Sequence, residues 1–481
     1  MIVPLKGAGP LFQQVYEALR GEILAGRLAS GARLPSSRAL ASDLGVSRTT
    51  VMLAYDQLLA EGYVAGRVGS GTYVASELPD AALGAPAPEP ATAAPAVARL
   101  SAYGARVRAL DVIPPSRPGA VRYDFRYGLP PVEEFPHETW RRILARRARA
   151  ASLATLRYGP PEGYGPLREA IAAYLRRSRA VSCRPEQVVV VNGSQQALDL
   201  TARVLVDPGD AVVIEEPHYQ GARKVFQAAG ARLVPVAVDA DGLDATSLPA
   251  EAAGARLAYV TPSHQFPTGA TMTIARRLEL LAWAEAADGY VLEDDYDSEF
   301  RYASRPLPSL QGIDPYGRVI HFGTFSKLLF PALRLGYLVL PEDLVDPFVG
   351  ARIGDSPPKL EQMVLADFMV EGHFYRHVRR MRALYARRHE VVRREAERLL
   401  GDVMTVEAPD AGMYLLARLD ASVPDVAVSR AAAARGVEAQ ALSPFYSEEP
   451  RGNGLLLGFA SVGPREARAA MRVLQAAVIN L

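Results

Sequence analysis

Val319-Ile320-His321-Phe322-Gly323-Thr324-Phe325-Ser326-Lys327, with Arg334 seven residues further on, is the stretch from which the fold is read. Val319 to Phe322 reads as an apolar strand. It ends in a glycine, two hydroxyls and a lysine. A lysine held at a strand end and shielded from water keeps a neutral amine, and a neutral amine forms an imine with an aldehyde. The hydroxyls of Thr324 and Ser326 and the guanidinium of Arg334 suit a phosphate, arginine because its donors form a fork. The stretch predicts a phosphorylated aldehyde held at the end of a strand.

Upstream, three more runs end the same way. Tyr290-Val291-Leu292-Glu293-Asp294-Asp295-Tyr296-Asp297 places carboxylates and a phenol after a strand. A pyridine ring that withdraws electrons needs a carboxylate at its nitrogen and a phenol at its 3-oxygen. Asp294 and Tyr296 are assigned these roles, with Asp295 the alternative, because one residue of slip turns a strand side chain to the other face. Val188 to Val191 leads into Asn192-Gly193-Ser194-Gln195-Gln196, a helix start whose free N–H groups and dipole attract phosphate. Tyr219 is placed to stack on the ring, and the loop Thr261 to Gly269 faces its edge. Short apolar runs alternating with helical stretches predict an α/β domain with a mixed, mostly parallel sheet, and ligands bind at the carboxyl ends of such strands. From about Gly372 a smaller C-terminal α+β subdomain is expected, opening on a long Arg-rich helix and closing on short strands.

Residues 1–76 read differently. A helix from Leu11 to Leu24 stacks Val15, Leu19 and Ile23. A second helix is capped by Ser36, a turn falls at Gly45, and a third helix, capped by Ser47, runs from Arg48 to Ala60. Its expected buried stripe is Val51, Tyr55, Leu58 and Leu59. Tyr63 to Val74 reads as a hairpin. Helix, tight turn, helix and hairpin make a winged helix-turn-helix, whose recognition helix meets base edges with its first turn, here Arg48, Thr49 and Thr50. Seven Lys/Arg against five Asp/Glu in this segment add weak support. Between the two regions, residues 77–100 hold five prolines and nine alanines, too little apolar bulk to form a core. A Pro/Ala-rich flexible linker is expected over 77–118, with the second domain at 119–481.

The bulk composition excludes several classes. The 481 residues carry a net charge of +1, so nucleic acid must be met by a local patch. One cysteine, Cys183, rules out an internal disulfide and fits a reducing cytoplasm. No signal peptide or eighteen-residue apolar run is read, so no membrane association is expected.

LPSSRALASDLGVSRTTVMLAYDQLLAEGYVAGRVGSGTYV resembles the GntR family of winged-helix repressors nearly end to end. That resemblance implies double-stranded operator DNA as partner, contacted by Arg33, Ser36, Arg38, Ser47, Arg48, Thr49, Thr50, Arg67 and Gly69. It also implies a homodimer on paired half-sites. TPSHQFPTG, EDDYDSEFRY and GTFSKLLFPALRLGY resemble fold-type I pyridoxal 5'-phosphate enzymes of the aminotransferase class, most closely the MocR subfamily, over roughly residues 120–481. The resemblance implies a Schiff base on Lys327, with Asp294, Tyr296, Thr324 and Arg334 holding ring and phosphate, and a head-to-tail dimer.

One departure stands out. Where that class carries an arginine for the substrate carboxylate, in a strand commonly reading Leu-Arg-Leu-Gly-Phe-Ala, this chain has Leu455-Leu456-Leu457-Gly458-Phe459-Ala460. Leucine offers no fork, and Arg451 is the nearby candidate substitute. Two effectors stay open: pyridoxal phosphate itself, as in the PdxR group that controls vitamin B6 synthesis, or an amine or amino acid held differently. A regulator is expected, with a working aminotransferase carrying an accessory DNA-binding module as the alternative.

Overall fold

A computed structural model describes residues 9–67, 71–79, 98–110, 121–153, 155–302, 307–352, 354, 356–409 and 411–479; the side chain of Arg67 is not among what it describes. The chain divides into two units, Met1–Arg99 and Leu100–Leu481.

The first unit holds helices α1 (Leu11–Leu24), α2 (Ser37–Leu44) and α3 (Arg48–Ala60) and the antiparallel strands β1 (Val64–Arg67) and β2 (Gly71–Val74). The helices α2 and α3 start where small hydroxyl residues satisfy their free N–H groups. Ser36 Oγ accepts from Ala39 N at 3.2 Å and Ser47 Oγ from Thr50 N at 3.1 Å. Gly45, at φ 65°, ends α2 in the left-handed region, where a side chain would be strained. Val15, Leu19, Ile23, Leu40, Val51, Ala54, Leu58, Tyr63, Val64 and Val74 form one core. The stripe of α3 differs from expectation. Ala54 is buried, Leu59 is exposed, and Tyr55 is half-buried, donating to Pro35 O at 2.8 Å. Positions 51, 54 and 58 face one direction on a 3.6-residue turn, and 59 rotates out.

The second unit begins with α4 (Ala102–Ala109), inside the stretch whose composition predicts linker. Its N-cap is Ser101, which accepts from Gly104 N at 3.1 Å. Residues 101–110 contain no proline, so nothing prevents a helix there. The remaining expected linker, 80–97 and 111–118, lies outside the described residues.

Next in the chain come β3 (Tyr123–Asp124), α5 (His137–Arg149), α6 (Gly165–Arg179), β4 (Val188–Val191), α7 (Ser194–Leu205), β5 (Ala211–Glu216), α8 (Gln220–Ala229), β6 (Arg232–Asp239), β7 (Gly242–Leu243), β8 (Leu257–Val260), α9 (Ile274–Ala286), β9 (Tyr290–Asp295), β10 (Val319–Thr324), β11 (Gly336–Val339), α10 (Glu342–Ala351) and α11 (Lys359–Val370). Eight strands form one sheet in the order β4-β11-β10-β9-β8-β5-β6-β7. The run from β10 to β6 is parallel, and β11 is antiparallel to both neighbours. Val212, Ile214, Leu257, Leu292 and Ile320 pack with α7 and α8 on one face; Val213, Ala258, Val260, Val291 and Val319 pack with α9 on the other. Burial on both faces is why these strands read as continuous apolar runs.

The smaller subdomain has the long α12 (His373–Leu400) and strands β12 (Met404–Glu407) and β13 (Tyr414–Leu419). After α13 (Asp425–Ala433) come β14 (Val437–Glu438), β15 (Gln440–Ala441) and β16 (Gly454–Gly458), and the chain closes on α14 (Pro464–Ile479). The expected close on short strands is corrected by α14, whose Ala467, Ala470, Met471 and Leu474 join the core. Its sheet runs β12-β13-β16-β15, antiparallel throughout. β3 pairs in parallel with β14, and Gly458 N donates to Phe125 O at 2.7 Å. The segment just before α5 is thereby stitched to the smaller subdomain and carries Tyr127 and Gly128 to the sheet ends. Among the described residues, no helix is long and apolar enough to cross a membrane.

Candidate functional site

The carboxyl ends of β4, β5, β8, β9 and β10 surround a cavity lined by Tyr127, Ser194, Tyr219, Tyr259, Thr261, Phe266, Asp294, Tyr296, Thr324 and Lys327. Lys327 Nζ donates to Gly128 O at 2.9 Å and lies 5.8 Å from the centre of the Tyr127 ring. Burial pulls its pKa below the ordinary lysine value, although Asp297 and Asp294 oppose the shift. Burial thus shifts the amine toward its neutral, nucleophilic form.

Asp294 and Asp295 separate by the alternation of β9. Asp294 faces the cavity and accepts from Tyr259 OH at 2.8 Å. Burial pushes its carboxyl up to about 7, against the pull of that hydrogen bond. Asp295 turns to the other face and pairs with the buried Arg179 at 2.7 Å. Arg179 also donates to Ser263 Oγ and Leu307 O. Glu293 shares that face and accepts from Leu310 N, Gln311 N and His321 Nδ1.

Tyr296 is half-buried; its hydroxyl donates to His264 O at 2.9 Å, and desolvation raises its pKa well above the phenol range. Tyr219 begins α8 and meets Phe266 edge-on at 5.9 Å. Gln195 does not line the cavity itself but donates to Tyr219 OH at 3.1 Å. Ser194 opens α7, whose N-cap Gly193 (φ 79°) leaves the first N–H groups without a side-chain cap. A Cβ on Gly193 would lie 3.3 Å from the Arg334 guanidinium. Arg334 NH2 in turn donates to Asn192 O at 3.2 Å. Ser326 is buried with an Oγ that has no hydrogen-bond partner, and its N–H donates to Thr324 Oγ1 at 3.2 Å.

These residues fit pyridoxal phosphate. A half-buried lysine and a buried acid line one cavity. An unpaired hydroxyl, an arginine fork and an uncapped helix start lie at its strand-end rim. Gly128 sits at φ 67°, where a side chain is strained, and a Cβ there would come within 2.5 Å of Lys327 Nζ and displace it. Reading the sequence missed Tyr259, Tyr127 and Gly128, while Phe266 lies on the loop expected at the ring edge. Tyr259 had a signal, a phenol in an otherwise apolar strand. Tyr127 and Gly128 had none, since they arrive by long-range pairing of β3.

On the first unit, Arg33, Ser36, Arg38, Ser47, Arg48 and Thr49 are exposed, and Thr50 is half-buried. Arg48 Nε donates to Ser37 Oγ at 3.3 Å, bringing the starts of α2 and α3 together. The hydroxyls of Ser36 and Ser47 accept from their helix starts. Gly69 and the side chain of Arg67 lie outside the described residues.

A three-helix reader with a hairpin wing, and an open sheet with a half-buried lysine among carboxylate and phosphate-type donors, define a DNA-binding regulator built on an aminotransferase fold. Residues 11–74 match the gntR family of bacterial regulatory proteins, and residues 131–462 match aminotransferase class I and II. The chain belongs to the MocR-type regulators, which join these two modules. It is 45% identical over 478 residues to the "Probable rhizopine catabolism regulatory protein MocR" of Rhizobium meliloti, covering 98% of this chain and 94% of that protein. It is 33% identical to the pyridoxine biosynthesis transcriptional regulator PdxR of Corynebacterium glutamicum, covering 93% and 91%. The second unit is similar to the α-aminoadipate aminotransferase LysN of Thermus thermophilus, solved with N-(5'-phosphopyridoxyl)-L-leucine. The TM-score is 0.69 at 29% identity, over 75% of this chain and 93% of that one.

Proposed function

We propose that this protein is a pyridoxal-phosphate-dependent transcription regulator that works in the cytoplasm as a homodimer on operator DNA and answers a small amine-reactive effector. The half-buried Lys327, which lines one cavity with Asp294 at the strand ends, carries the reading. When bound, pyridoxal phosphate supplies an electrophilic carbon and an electron-withdrawing ring. Lys327 is the attachment point, its pKa lowered by burial and its amine aimed by Gly128 O. Asp294 holds a proton against the ring nitrogen and is itself held by Tyr259. Tyr296 places a phenol at the ring oxygen, and Tyr219 covers a ring face. Ser194, Thr324, Ser326 and Arg334, with the start of α7, cradle the phosphate; Gln195 positions Tyr219.

Arg33, Arg38, Arg48, Thr49 and Thr50, with Arg67 and Gly69 of the wing, meet phosphates and bases, while Ser36 and Ser47 present helix starts to the backbone. The dimer is supported by Leu153, Leu156 and Tyr158, which leave 75%, 77% and 87% of their surface exposed in one short stretch. A head-to-tail pairing on half-sites follows from the family.

The test combines colour with DNA. Purified protein mixed with pyridoxal phosphate develops a visible absorption band, and Lys327→Ala does not. DNA affinity or footprint then differs between the loaded and cofactor-free wild type. A chain that stays colourless, or identical footprints in both states, overturns the reading.

A further inference from the structure

We infer that His264 is a positioning residue: it keeps the Tyr296 hydroxyl a donor toward the ring oxygen of pyridoxal phosphate and ties that hydroxyl to the smaller subdomain. The inference rests on the reading that Lys327 holds pyridoxal phosphate, and goes beyond it to a residue that does not line the cavity. His264 lies on the loop after β8 and is 2% exposed. Its Nδ1 is 3.0 Å from Asp297 Oδ2 and 3.0 Å from the Tyr296 hydroxyl. A carboxylate only accepts, so the pairing with the buried Asp297 puts the proton on Nδ1. Nε2 has no hydrogen-bond partner, as suits the bare nitrogen of that tautomer. A protonated Nδ1 cannot accept from the phenol. The Tyr296 proton is left to His264 O at 2.9 Å in the cofactor-free chain, and to the ring oxygen once the ring is bound. The other tautomer would take the phenol's proton and compete with the ring.

The imidazole is itself held from the smaller subdomain. Its centre lies 5.1 Å from that of the Tyr414 ring on β13. Gly412, at φ 86°, packs against its edge, and a Cβ there would collide with Cε1, Nδ1 and Nε2. Tyr414 OH stands farther from the Tyr296 hydroxyl, at 3.4 Å, and donates to Gln265 O at 3.2 Å. The seating of the smaller subdomain therefore decides where the imidazole stands, and through it the phenol. Asp297, Asp294 and Arg334 act on Lys327, and Asp297, Asp294 and Tyr414 act on Tyr296. Asp297 belongs to both sets, so a test must separate the hydrogen bond from its charge.

The experiment follows the visible band of the loaded full-length protein against pH. The imine nitrogen on Lys327 gains a proton as pH falls, and the band moves with it. A donor on the ring oxygen stabilises the unprotonated imine, in which the charge on that oxygen has no neighbouring N–H. Weakening the donor raises the midpoint. His264→Phe keeps a ring against Tyr414 and should raise it by about one pH unit, tenfold in proton affinity. His264→Asn, whose amide N–H stands in for Nδ1–H, should restore most of the shift. In a Tyr296→Phe background, His264→Phe should add nothing. A midpoint unmoved by His264→Phe, even with a lowered melting temperature, overturns the inference. So does a shift of the same size without the Tyr296 hydroxyl, which would assign it to the charge of Asp297. Should His264→Phe not fold, His264→Leu carries the same comparison. A protein that never colours fails the cofactor reading instead.

Discussion

At the residue scale, Asp294 shows how one environment sets both chemistry and stability. Its carboxyl titrates near 7 in the folded chain because it is buried, against about 3.9 when unfolded. Between those values the folded state holds the extra proton. Stability of the cofactor-free protein is then greatest below about pH 4 from this group and falls as pH rises through 7. Burial sets the buried Glu215 carboxyl near 7 as well, so it contributes in the same direction. Asp294→Asn should flatten the decline in melting temperature of cofactor-free protein between pH 5 and 8; an unchanged slope would assign it elsewhere. Tyr259→Phe removes the one hydroxyl that holds Asp294. Losing a hydrogen bond to a buried acid costs about 1 kcal/mol, roughly five- to tenfold in cofactor affinity, measurable by absorbance titration.

At the element scale, two helices are tied by single side chains. Ser47 caps the recognition helix α3. Ser47→Ala should cost about 1 kcal/mol, lower the melting point of the first unit and weaken DNA binding without changing the visible spectrum. Arg106 is the second tie. From α4 it donates to Ala228 O at 2.9 Å and Ala229 O at 3.3 Å, the last carbonyls of α8. Those carbonyls have no helical partner, and a cation there also favours the helix dipole. The other end of α8 starts at Tyr219 on the cavity wall. One ten-residue helix thus runs from the cavity wall to the seat of α4. Arg106→Ala should release α4 and speed proteolytic cleavage between residues 100 and 120, while the visible spectrum stays as in the wild type.

At the scale of the whole molecule, the two units own separate cores, and each is expected to melt as a separate body. A ligand that binds the folded second unit raises its melting point alone. Calorimetry should show two transitions, with pyridoxal phosphate shifting one of them. Dimer formation belongs to this scale too. Leu156→Glu places a charge beside the exposed Leu153 and Tyr158, and light scattering should then report monomers; a dimer that persists would locate the interface elsewhere.

The chain's local chemistry determined a good deal by itself. The starts of α2 and α3 were legible because a cap needs only a hydroxyl one residue before a helix. The strands were legible because burial on both faces leaves unbroken apolar runs. Lys327, Asp294 and Tyr296 were legible because each falls at the end of such a run. Tertiary structure decided what no local pattern encodes. Which of Asp294 and Asp295 faces the cavity depended on the pleat of β9 and on Arg179 waiting across the sheet. Tyr127 and Gly128 reached Lys327 only through the pairing of β3 with β14, more than three hundred residues away in the chain. The exposure of Leu59, the seating of α4 and the surroundings of His264 were likewise settled by packing, because a side chain's environment is made of residues its own neighbours in sequence do not name.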